Sequence, residues 1–261
     1  MSYEVGFRLD FDFNRWVVEE PPRRIEFLSK GVALPLEIVL EEVWRADLKH
    51  GYKVSARRCG VVALKVSDTM ETIITGIDSD RSVEALSEVI RLANVFVLAL
   101  HFSFRTHNEG PGAFAVTQSS LFRLNGFGFS GGRRAMQETA ELTSLSGTIQ
   151  TNGSVPASAF EYAAQLLGTV QECEYDKSLH LAALLNQALA ANDEYDFPLA
   201  LTLAWTVTEA AQAHLWERAT GKSNDRNVRA HSVTEELERL RIFSPSLSGQ
   251  VNDARRARND W

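Results

Sequence analysis

The strongest constraint on this chain is a change of hydrophobic period partway along it. Near the start, "YEVGFRLDFDF" (3–13) alternates strictly, so Val5, Phe7, Leu9, Phe11 and Phe13 share one face of an extended strand. From "SVPASAFEYAAQLLGTV" (154–170) onward the apolar residues recur every three or four positions, the spacing of one helix face. A chain that changes from one period to the other predicts an α+β fold: a β-rich α+β domain over 1–150, then an all-α helical bundle over 151–261. The boundary falls in "SLSGTIQTNGSVPAS", where Ser, Thr, Gly and Pro cluster without an apolar period.

In the first half, "ALPLEIVLEEVW", "CGVVALKVSD", "METIITGID" and "GAFAVTQSSLFRL" are the further strand candidates. One helix interrupts them, in "DSDRSVEALSEVIRLANVFVLAL". Asp80 or Ser82 is placed to cap it, and Val83, Leu86, Ile90, Ala93 and Val97 mark its apolar face. In the second half, helices are predicted at about 156–173, 176–192, 197–218, 232–242 and from 246 onward. Pro156, Asp176, Pro198, the Ser232-to-Glu235 capping-box spacing and Pro245 signal their starts.

With 44% hydrophobic and 23% charged residues, the whole chain has the composition of a folded domain. Its apolar window at 89–104 is interrupted by Arg91, Asn94 and His101 and is shorter than the ~20 residues of a membrane span. The N-terminus lacks the basic start and hydrophobic run of a signal peptide. Cys59 and Cys173 stand far apart without nearby metal-ligand spacing, so a reduced, cytoplasmic protein is expected, with no cofactor and no metal. The net charge of -7 excludes a general nucleic-acid coat, though a few arginines in one cleft can still hold a phosphate.

Several short patterns invite chemistry. Gly126, Gly128 and Gly131 in "GFGFSGG" match G-x-G-x-x-G, but the region some 20 positions on has no carboxylate for a ribose, which favours a hairpin or loop over a phosphate cradle. His101 and His107 flank Arg105 without a third metal ligand, which favours a surface loop. In "PLALTLAWTVTEAAQAHLWE" (198–217), Glu209 is the first charge on a helix that is apolar almost all round, so it either reaches water or pairs with a cation. In the last helix, Leu247, Val251, Ala254, Arg258 and Trp261 follow by four, three, four and three. That seam would turn Arg258 inward and leave Arg255 and Arg256 solvated. An inward guanidinium is either paired, with Glu209 as the candidate partner, or serves an anion.

"LAWTVTEAA" (203–211) followed by "ARRARNDW" (254–261) resembles the HEPN helical domain, in particular its ApeA-like group, over roughly 156–261. The resemblance implies a metal-independent endoribonuclease acting as a toxin or phage-defence effector, usually built as a homodimer. It further implies an Arg-x(4 to 6)-His motif in which Arg258 binds the scissile phosphate, Asn259 is the polar residue after it, and Glu209 orients the arginine or the base. After Arg258 the sequence shows only Asn259, Asp260 and Trp261, so the motif's histidine is expected beyond residue 261 and this form is expected to be inactive. The alternative is a catalytically silent HEPN-like module for binding and dimerisation. The β-rich half is expected to sense a trigger, a protein or a small molecule. Two other segments satisfy Arg-x4-His literally: Arg226 to His231, expected in a loop entering a helix, and Arg45 to His50, in the β-rich half.

Overall fold

The computed structural model describes residues 4–8, 24–27, 41–57, 61–66, 79–105, 114–125, 128–131, 153–222 and 230–259. It forms two compact units, Met1–Cys173 and Glu174–Trp261. The first is α+β and the second is a bundle of helices, the two classes expected from the change of period.

In the first unit, β1 (Glu4–Arg8), β3 (Glu42–Asp47), β4 (Lys53–Arg57), β5 (Val61–Lys65), β6 (Phe122–Asn125) and β7 (Gly128–Gly131) form a six-stranded sheet in the order β3-β4-β5-β1-β6-β7. Every pairing is antiparallel. A second pair joins β2 (Arg24–Phe27) to β8 (Gly153–Pro156). Val61, Val62, Ala63 and Leu64 are all buried on β5, as an internal strand covered on both faces requires. The segment "METIITGID" lies outside the described residues, and "GAFAVTQSSLFRL" supplies only β6, after a 3-10 turn at Gln118–Ser120.

Helix α1 (Ser79–Arg105) is longer than its amphipathic start suggests, because Leu92 to Leu100 is buried without interruption. Its apolar face differs from expectation at the first turn: Val83 is exposed, and Ala85, Val89 and Leu92 are buried. A buried aromatic triad ties the layers together. Trp44 on β3 stands 6.3 Å from Phe96 on α1 and 5.2 Å from Phe160 on α2 (Ala157–Gln171), and the two phenylalanines are 6.0 Å apart. Through Phe160 and Ala163, α2 packs with the sheet-bearing unit, so the division falls at 173/174 and not at the expected 150/151. The Ser/Gly-rich stretch looked like a linker, yet part of it forms β8 against β2.

The second unit holds α3 (Ser178–Asp193), α4 (Phe197–Thr220), α5 (Ala230–Arg239) and α6 (Pro245–Asn259). Asp196 caps α4 by accepting a hydrogen bond from the Leu199 N–H at 3.2 Å, and Pro198 needs no partner in that first turn. Gly221 ends the helix at φ 66, a left-handed conformation that glycine adopts without a Cβ clash. The core of this unit is Trp216, Val233, Leu237 and Phe243, with Val251 packed against it. Burying each of these side chains contributes about 1.5–3 kcal/mol. The expected Ser232 cap is not an end: α5 begins at Ala230, which places His231 and Ser232 within the helix.

Candidate functional site

Helix α4 places four large or polar side chains on one face by a four, three, four spacing: Trp205, Glu209, Gln212 and Trp216. Trp205, Gln212 and Trp216 are buried, and Glu209 is half-buried. The Trp216 Nε1–H donates to Glu236 Oε2 at 3.0 Å, and the Thr234 hydroxyl donates to Gln212 Oε1 at 3.0 Å, so α5 is pinned to this face by polar as well as apolar contacts. Together with a bond from Arg239, the Trp216 donor holds the Glu236 carboxyl below its usual range.

Helix α6 faces inward along a different line from the one expected. Ser248 is buried and Val251, Asn252 and Arg255 are half-buried, whereas Leu247 and Ala254 are exposed. The seam is shifted by one position, and the reason is the scarcity of apolar residues in this helix. With only Leu247, Val251, Ala254 and Ala257 to define a period, the small Ser248 decides which side can lie close to its neighbours. Arg255 therefore turns partly inward and Arg258 is exposed, the reverse of the expected assignment.

Arg258 nevertheless reaches the α4 face. Its guanidinium carbon lies 5.7 Å from the centroid of the Trp205 ring, and its Nη1 donates to Asn259 Oδ1 at 3.4 Å. An exposed cation over an indole gains about 0.5–1 kcal/mol. No ion pair joins Arg258 to Glu209 among the described residues, so the expected carboxylate partner is replaced by an aromatic face. A guanidinium held this way keeps most of its N–H donors for an anion.

The polar atoms around this face are incompletely paired. Among the described residues, Trp205 Nε1, Gln212 Nε2, Ser248 Oγ and Asn252 Oδ1 are buried without a hydrogen-bond partner. Glu209 also lines a cavity of about 380 Å³ with Thr206, Gln212 and Val233. Trp205 and Gln212 were the side chains missed from sequence. Their spacing around Glu209 was the available signal, obscured by a helix that is apolar on every side.

The other candidates are placed as follows. His231 pairs with Glu235 at 3.1 Å, and Arg226 lies outside the described residues. His214 stacks on Tyr175 with ring centroids 4.0 Å apart. Arg45 pairs with Glu42 at 3.7 Å, and His50 sits in an exposed turn at φ 56. Gly128 and Gly131 belong to β7, paired antiparallel with β6, which is a hairpin and not a strand-to-helix phosphate loop. His107 lies outside the described residues. Among the described residues no group of three His, Cys, Asp or Glu side chains could hold a metal, and no helix is long and apolar enough to cross a membrane.

Comparison of the chain with protein-family models, with curated proteins and with solved structures finds no match.

Proposed function

We propose that the protein is a HEPN-type endoribonuclease that needs no metal, with the helical unit providing the RNA phosphate site. The observation that carries this reading is Arg258, seated on Trp205 and free of any carboxylate among the described residues. A planar guanidinium presents paired N–H donors that match two phosphate oxygens, and such contacts stabilise charge that builds on phosphorus in the transition state. Asn259, one position on, adds a side-chain amide beside it. With a net charge of -7 the protein must hold RNA at a focused site and not over a broad basic surface.

In this reading the helical unit pairs with a second copy, the β-rich unit takes the trigger, and the protein acts in the cytoplasm as a toxin or phage-defence effector. Leu240, Ile242 and Leu247, exposed around the turn from α5 to α6, support self-association. A second reading, a silent binding module, is favoured by the histidines of the helical unit. Of these, His214 and His231 are engaged with Tyr175 and Glu235.

The test is incubation of labelled single-stranded RNA with wild-type protein and Arg258→Ala in EDTA, scoring binding and cleavage together. Binding and cleavage that both depend on Arg258 support the nuclease. Arg258-dependent binding without cleavage keeps the phosphate site and is expected both of the silent module and of a nuclease form without the motif's histidine, and binding indifferent to Arg258 removes both readings.

A further inference from the structure

The arginines that close helix α6 differ in their surroundings. Arg256 is exposed, with its Nη1 3.7 Å from Asp253 Oδ1. Arg258 is exposed and lies over Trp205. Arg255 is half-buried, on the side of α6 that also carries Ser248 and Asn252, yet no carboxylate stands within ion-pair distance of it among the described residues. A guanidinium that gives up part of its water without a counter-ion in the protein is suited to take one from a ligand. Arg255 and Arg258 are three residues apart, so their Cβ atoms are neighbours on the helix surface, about 5–6 Å from each other. Two like charges so placed repel, and Asp253, the one acidic residue of α6, is engaged by Arg256.

We propose that Arg255 is a second phosphate contact, holding the RNA phosphate next to the one bound by Arg258. Consecutive phosphates of a strand supply one negative charge per nucleotide, which neutralises both arginines and relieves their repulsion. The strand then lies along the last turn of α6, and the smallest ligand that fills the site carries two consecutive phosphates. A phosphate on one guanidinium is free to turn about it, whereas two contacts a helical turn apart fix the course of the backbone. Arg255 thereby orients the phosphate at Arg258. The third arginine takes no part, because its charge is already met by Asp253. The inference rests on the RNA reading above and adds to it the length and course of the bound strand.

The experiment measures the affinity of a labelled single-stranded RNA across a salt series for wild-type protein, Arg255→Gln, Arg255→Lys, Arg256→Gln and Arg258→Ala. Glutamine keeps part of the aliphatic stem and removes the charge, and lysine keeps both, so the lysine variant serves where the glutamine variant does not fold. The expected result is that Arg255→Gln weakens binding by about fivefold or more and makes the slope of log K against log salt shallower by about one. Arg255→Lys is expected to restore the slope, and Arg256→Gln to change affinity by less than about twofold. A loss of affinity at an unchanged slope assigns Arg255 to packing and overturns the proposal. Equal losses in Arg255→Gln and Arg256→Gln show a general attraction to a basic helix end and overturn it as well. Binding that depends on Arg258 and not on Arg255 overturns the second contact and leaves the RNA reading standing. Dependence on Arg255 without Arg258 overturns the pairing of the two contacts, and no RNA binding by wild-type protein overturns the RNA reading with it.

Discussion

The Arg258 guanidinium lies over the Trp205 indole, 5.7 Å from its centroid, and this contact rather than a salt bridge to Glu209 attaches the end of α6 to α4. Because Trp205 is buried and Arg258 exposed, the indole acts as a platform whose inner side is packed and whose outer side carries a cation.

Replacing Trp205 separates those two roles. Trp205→Ala empties a large buried volume and should cost about 3–5 kcal/mol of stability. Trp205→Phe keeps an aromatic face and removes an indole N–H that has no partner among the described residues, so it should fall within about 1 kcal/mol of wild type. Urea denaturation of the two variants checks the pair. Equal losses would show that the indole N–H is satisfied in solution.

The second prediction concerns the first unit. The Asn94 side chain, fully buried, donates to the Ile90 and Val116 carbonyls at 2.8 Å and accepts from the Val116 N–H at 3.0 Å. It thus closes the segment after α1 onto the helix. Asn94→Leu is near in size but strands the Val116 backbone groups, and should cost about 2–4 kcal/mol, read as a lowered melting temperature.

Alkaline stability should depend on Tyr52. Burial, with the hydrogen bond to Glu88 at 2.8 Å, raises its phenol far above the ordinary value of 10.0. A group whose folded pKa is raised stabilises the fold fully below its unfolded pKa and loses that contribution as pH rises toward the folded value. The Tyr52 contribution should therefore be constant with pH below about pH 10 and fall above it. In Tyr52→Phe the fall beyond that point should be shallower, as measured by denaturant midpoints across the alkaline range.

Glu236 gives the opposite slope. Hydrogen bonds from Trp216 and Arg239 lower its carboxyl from the ordinary value of 4.5, so it stabilises the fold above that pH and the contribution is lost as pH falls through the folded value. Glu236→Gln should be less stable than wild type at neutral pH, and the two should converge in acid. A constant gap across the acid range would assign the loss to packing.

How much of this was legible in the sequence depends on the strength of each local signal. The helices at Phe197–Thr220 and Pro245–Asn259 were expected within two residues at their starts, because Pro198 and Pro245 are strong boundary markers, while the Asp196 cap became visible only in the structure. The inner face of α6 was misread because four apolar residues in that helix do not define a period, and burial there is decided by Ser248 and by neighbours that the sequence does not name. Glu209 stood out as a lone charge, but its neighbours Thr206 and Gln212 did not. A buried glutamine is conspicuous only once Thr234 is seen to occupy its oxygen.

The most direct test of the account is the salt dependence of RNA affinity for wild-type protein and Arg258→Ala, measured by fluorescence anisotropy. The account predicts about tenfold or greater loss of affinity in the variant and a log K against log salt slope shallower by about one, the signature of a single lost phosphate contact. Unchanged affinity and an unchanged slope would contradict it.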